Sequence, residues 1–152
     1  MAETAASPPA PALSPALTMV LQARAVESRI EEALAPLDLS LRKLGILGHL
    51  RATPGLSFSA LARRAGIKVQ SLHPIIAALA DVGYVRTADE VSQGRSASIE
   101  VTDTGIEAVQ DAHHALREID ESVFADGDWA ILGETLNRIA ASFLRRGADS
   151  ER

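Results

Sequence analysis

Between Leu17 and Leu34 the apolar positions fall on more than one face of a helical projection, with no internal glycine or proline. That pattern predicts a helix burying more than a single stripe, closed by Pro36. Ser40 is a suitable N-cap for a second helix, with Leu41, Leu44 and Leu47 at three-residue spacing and Thr53-Pro54-Gly55 as its stop. Ser57 heads a short third helix with Phe58 (or Ala60), Leu61 and Ala65 inward, and Gly66 makes the turn into Ile67–Val85. There Val69, Leu72, Ile75, Ile76, Leu79 and Val82 form an apolar stripe, and Pro74 interrupts it. A proline inside a helix removes one hydrogen bond and clashes with the carbonyl four residues back, at about 3 kcal/mol. Two geometries answer this. Either Lys68 is the cap and Pro74, the sixth helical residue, forfeits the bond to the Gln70 carbonyl, or the regular helix starts at Pro74 after a looser turn over 69–73. In both, the N-terminal end is decoupled from the packed half.

After Gly83 the period changes to alternation. "YVRT" and "SASIEVT" flank the polar "ADEVSQGR", which predicts a hairpin with a longer loop. Thr102 then caps a long helix with Ile106, Val109, His113, Leu116 and Val123 on one seam. "ADGDW" breaks it, with Asp126 or Asp128 as the next cap, and Trp129, Leu132, Leu136, Ile139 and Phe143 repeat at a/d spacing along a final helix. Two short helices joined by a glycine turn, followed by a hairpin, form a helix-turn-helix with a wing. The small central unit needs its own apolar residues, so the outer helices are expected to pack against a second copy of the chain rather than fold back as a monomeric bundle.

Composition narrows this further. At 152 residues the chain holds one domain with appendages, and with aromatics at 3% the packing falls to Ala, Leu, Val and Ile. Without cysteine, disulfides and thiolate metal sites are excluded. The opening "MAETAASPPAPALSP" has no basic region and reads as a disordered leader, not a signal peptide; no apolar run approaches a membrane span. The net charge of −5 argues against a nucleic-acid partner until it is divided: residues 1–39 carry −3, residues 40–103 carry +3 and residues 104–152 carry −5. The local field at a basic centre matters more for steering than the total.

The run "LSLRKLGILGHL…GLSFSALARRAGIKVQSLHPIIAALADVGYVRT…GRSASIEVTDTGIEAV" resembles the MarR-type (multiple antibiotic resistance regulator) transcription factors. Its carriers are Leu61-Ala62-Arg63-Arg64-Ala65-Gly66, then Leu79 with Gly83-Tyr84-Val85, then Val101-Thr102-Asp103-Thr104-Gly105, in order and at the family's spacing over about residues 38–110. The resemblance implies a mainly α fold with a small β-hairpin wing, in which a winged helix-turn-helix lobe is flanked by N- and C-terminal dimerisation helices. The expected division is a leader over 1–15, a dimerisation helix over 16–37, the DNA-binding lobe over 38–103 and C-terminal dimerisation helices over 104–148. It also implies a cytoplasmic homodimer on a pseudo-palindromic operator, by default a repressor released by a small molecule, with no enzymatic activity and no cofactor.

Helix-turn-helix geometry offers Lys68, Gln70, Ser71 and His73 to the major groove, with Arg63 and Arg64 placed for phosphates. Gln70 suits adenine, Ser71 a phosphate or base edge, and Lys68 a phosphate or guanine. Gln93, Arg95 and Ser96 form the wing tip, with Arg95 aimed at the minor groove. The family usually carries a cation where this chain has Pro74, and a more basic wing tip than Gly94-Arg95-Ser96, so specific but moderate binding is expected. An aromatic or lipophilic effector is expected between the first two helices and the long helix, beside Leu44, Leu47, His49 and His113. The adjacent His113 and His114 point to different faces, so no metal site is expected. The competing reading is a winged-helix module that binds protein and little or no DNA.

Overall fold

The computed structural model describes residues 14–88 and 98–150, with no side-chain description over 143–150. The expected leader therefore lies mostly outside the described residues. Helix α1 spans Pro15–Leu34 with proline at its first turn, where the missing N–H costs nothing, and a 3-10 turn over Ala35–Leu37 ends at Asp38 with φ 51°. Helix α2 spans Leu41–Ala52, α3 Phe58–Arg64 and α4 Val69–Asp81. Strands β1 (Val85–Ala88) and β2 (Ser98–Val101) pair antiparallel, Val85 opposite Val101 and Ala88 opposite Ser98. Helix α5 runs Asp103–Val123 and α6 Gly127–Ser150.

Three of the expected caps are in place. The side chains of Ser40, Ser57 and Thr102 accept from the N–H groups of Lys43, Ala60 and Gly105 at 3.2, 3.3 and 3.0 Å. At the start of α6, the Ala130 N–H donates to the Asp126 carbonyl at 3.3 Å. Leu44, Ile46, Leu47 and Leu50 of α2 join Leu61, Leu72, Ile76, Leu79, Ile99 and Val109 in one core beneath the wing.

The long helix α5 differs from its expected phase. Its buried positions are Gly105, Ala108, Val109, Ala112 and Ile119, while His113 faces solvent. Small residues mark the line of closest approach, so a seam read from the large side chains comes out about one residue off. Gly105 shows why: a Cβ there would lie inside the Tyr84 carbonyl and 2.9 Å from the Val101 side chain.

Candidate nucleic-acid interface

Helices α3 and α4 end in the same device. At the end of α3 the Gly66 N–H donates to Arg63 and the Ile67 N–H to Ala62, at 3.2 and 3.0 Å, with Gly66 at φ 67°. At the end of α4 the Gly83 N–H donates to Ala80 and the Tyr84 N–H to Leu79, at 2.9 and 2.8 Å, with Gly83 at φ 77°. These paired bonds form a Schellman motif, which needs a left-handed residue that glycine supplies without steric cost. The first aims α4 out of the lobe, and the second turns the chain into the wing. Thr102 completes the joint: its N–H donates to the Tyr84 carbonyl at 3.1 Å and its hydroxyl to Gly83.

The two geometries left open for α4 are resolved. Lys68 is the cap, extended at φ −72° and ψ 146°, and the helix runs unbroken through Pro74 to Asp81. The Leu72 and Ser71 N–H groups return to the Lys68 carbonyl at 3.2 and 3.0 Å. Lys68, Gln70, Ser71 and His73 are all exposed on the projecting end, so the lobe brings these four together. The His73 ring stacks on Phe58, centroids 4.6 Å apart and planes 22° apart, a contact between α3 and α4 that ties that imidazole to a neighbour. Arg64 donates to the Thr53 hydroxyl at 2.7 Å and is held against the α2–α3 loop. Arg63 is exposed and makes no hydrogen bond or ion pair among the described residues. Gln93, Arg95 and Ser96 lie outside the described residues. The wing's stem is braced by an Arg86–Glu100 pair at 2.7 Å and by the Ile99 N–H donating to the Leu56 carbonyl at 3.4 Å.

The expected effector residues are not brought together. Leu44 and Leu47 are in the core and His113 is exposed on α5, whereas His49 lines a cavity of about 380 Å³ between α1, α2 and the α3–α4 turn. The other walls include Glu27 and Glu31 of α1, Arg42 and Ile46 of α2, and Ile67. These walls are more polar than the apolar pocket expected. Glu31 also accepts from the Leu41 N–H at 3.0 Å, so its carboxylate serves the positive end of α2. In the sequence these walls are marked by Glu27 with Glu31 at i, i+4, and by Arg42, Ile46 and His49 on one face. No group of three or more His, Asp or Glu suited to a metal occurs among the described residues; His114 instead approaches Glu118 at 3.6 Å.

What this geometry offers is an exposed polar helix end on a three-helix lobe with one packed core, with a braced hairpin beside it. Comparison with known proteins agrees. The sequence profile of the MarR family matches residues 37–96. The HTH-type transcriptional repressor Rv2887 of Mycobacterium tuberculosis is 34% identical over 96 residues, 63% of this chain and 69% of the relative. The crystal structure of the M. tuberculosis MarR family protein Rv2887 in complex with salicylic acid superposes with a TM-score of 0.64 at 26% identity, covering 88% of this chain and 98% of that one. That of the M. tuberculosis transcriptional regulator MosR in complex with DNA gives 0.58 at 25% identity, covering 83% and 99%. Lobe, wing and sequence together place this chain in the MarR family of DNA-binding transcriptional regulators, and it is not an enzyme.

Proposed function

We propose that the chain works as a homodimeric repressor whose two α4 helices enter successive major grooves of a pseudo-palindromic operator. The observation that carries this reading is the projecting end of α4, with Lys68, Gln70, Ser71 and His73 exposed on a helix whose other face is locked in the core. Gln70 pairs with adenine, Lys68, Ser71 and Arg63 hold phosphates, and the wing tip at Gln93, Arg95 and Ser96 follows the backbone into the minor groove. Arg64 meets a phosphate only by leaving Thr53. The outer helices supply the dimer, through the exposed Leu17, Val20 and Leu21 of α1 and Trp129, Leu132, Leu136 and Ile139 of α6. Among the described residues no helix is long and apolar enough to cross a membrane, and the reading has the protein act in the cytoplasm.

The cavity beside His49 is the effector site in this reading. Its volume of about 380 Å³ suits a small aromatic acid. Arg42 and His49 are the carboxylate's partners and Ile46 and Ile67 the ring's, and a relative is known with salicylic acid bound. Because Ile67 directly precedes the Lys68 cap, an occupant there bears on the angle of α4. A mobility-shift assay with the protein's own promoter fragment tests both halves. A shifted band at low salt that salicylate releases is expected. No shift even at low salt would overturn the DNA reading, and a shift indifferent to salicylate, other aromatic acids and lipophilic acids would overturn the effector reading alone.

A further inference from the structure

Down the solvent side of α4, Gln70, Pro74, Ala77 and Asp81 stand at i, i+4, i+7 and i+11, and all four are exposed. At 3.6 residues per turn these positions form one line, opposite the buried Leu72, Ile76 and Leu79. In a recognition helix that line faces the floor of the groove. Its middle therefore carries no hydrogen-bonding side chain: one turn past Gln70 comes a pyrrolidine ring, and one turn later a methyl group. Pro74 also lies outside the core cluster, so no packing inside the lobe offsets what it costs the helix.

The chemical complement of two small apolar groups on a groove floor is the 5-methyl group of thymine, the one apolar feature that base pairs present there. We propose that Pro74 and Ala77 read thymine methyl groups, next to the adenine paired with Gln70. This rests on the DNA-reading role of α4. Four residues of helix advance about 6 Å, close to two base steps, so the thymine recognised by Pro74 lies within about two base pairs of that adenine. Asp81 closes the line with a carboxylate, which repels phosphates and confines base contacts to the part of the helix ahead of it.

The test starts from duplexes selected from a random library by the full-length protein. The adenine is located as the position where the Gln70→Ala variant loses its preference. Each thymine is then replaced singly by deoxyuridine, which removes the methyl group and keeps every hydrogen bond. At thymines within about three base pairs of that adenine, about two for Pro74 and about three for Ala77, the wild-type protein should lose about fourfold in affinity per methyl, and on the order of tenfold when both half-sites are changed. Pro74→Ser and Ala77→Ser, both exposed substitutions with the folded state checked by circular dichroism, should each abolish the sensitivity at one thymine. A site with no thymine in that window apart from the adenine's own partner overturns the proposal, as does indifference to every deoxyuridine or sensitivity that survives in both variants. If no duplex is selected at all, the DNA-reading role itself falls and takes this inference with it.

Discussion

Arg63 ends α3 and Gln70 opens α4, but the two act on different parts of a duplex, and their substitutions should separate accordingly. Gln70→Ala should relax the preference at one base pair per half-site, about 1–3 kcal/mol of discrimination, and leave binding to random DNA unchanged. Arg63→Ala should weaken binding to all sequences alike and reduce the salt slope by about 1. Equilibrium anisotropy on specific and scrambled duplexes distinguishes the two. Gly105 makes a different kind of claim. A Cβ there would lie inside the Tyr84 carbonyl, so Gly105→Ala forces α5 away from the end of α4, and urea unfolding should show a loss of about 1–3 kcal/mol. Tyr84 donates its hydroxyl to the Leu37 carbonyl at 2.8 Å. Burial first, then the negative fields of Asp38 and Asp111, raise its pKa above the usual 10.0. The folded state thus holds that proton more tightly than the unfolded chain. The associated stability is complete below pH 10 and is lost as pH rises through the folded value, so the urea midpoint should fall in that alkaline range. Tyr84→Phe should remove this part of the decline.

Helix α4 is the element whose cost and use are opposed. Its interior proline donates nothing to the Gln70 carbonyl, yet the helix is continuous because Leu72, Ile76 and Leu79 anchor one face. Pro74→Ala should therefore stabilise the protein by about 2 kcal/mol in chemical denaturation, the recovered helix bond being partly offset by a freer unfolded chain. No gain, or a loss, would mean the helix is not regular through that position. Periodicity could not choose between the two possible starts of α4, because both keep the same stripe; the Lys68 cap is fixed by the Schellman turn at Gly66. Caps at Ser40, Ser57 and Thr102 were legible because each needs only local chemistry. The phase of α5 was not, since Ala108 and Ala112 carry little hydrophobic signal and mark the seam only once a neighbour is packed on them. The cavity was half legible. His49 lies at it, but Glu27, Glu31 and Arg42 meet only through the crossing of α1 on α2, which no single-helix pattern contains.

At the scale of the whole molecule, an acidic chain of net charge −5 presents its positive charge where the lobe and wing are. The apolar faces of α1 and α6 meanwhile stay uncovered in a single copy, with Leu136 38% and Ile139 47% exposed. If a second copy covers them, a Leu136→Glu, Ile139→Glu double variant should sediment as a monomer and lose most of its affinity for a two-half-site operator, while keeping its helical content. In the proposed function the basic centre of this chain binds duplex DNA through phosphate neutralisation, with sequence read on top of it. The most direct measurement is a salt titration by fluorescence anisotropy, with a promoter duplex and a random duplex side by side. Binding to both is predicted at about 50 mM salt, with log K falling linearly in log salt for each and the promoter remaining tighter throughout. No binding to either duplex at low salt would contradict DNA binding by the basic centre and leave the lobe as a surface for protein partners.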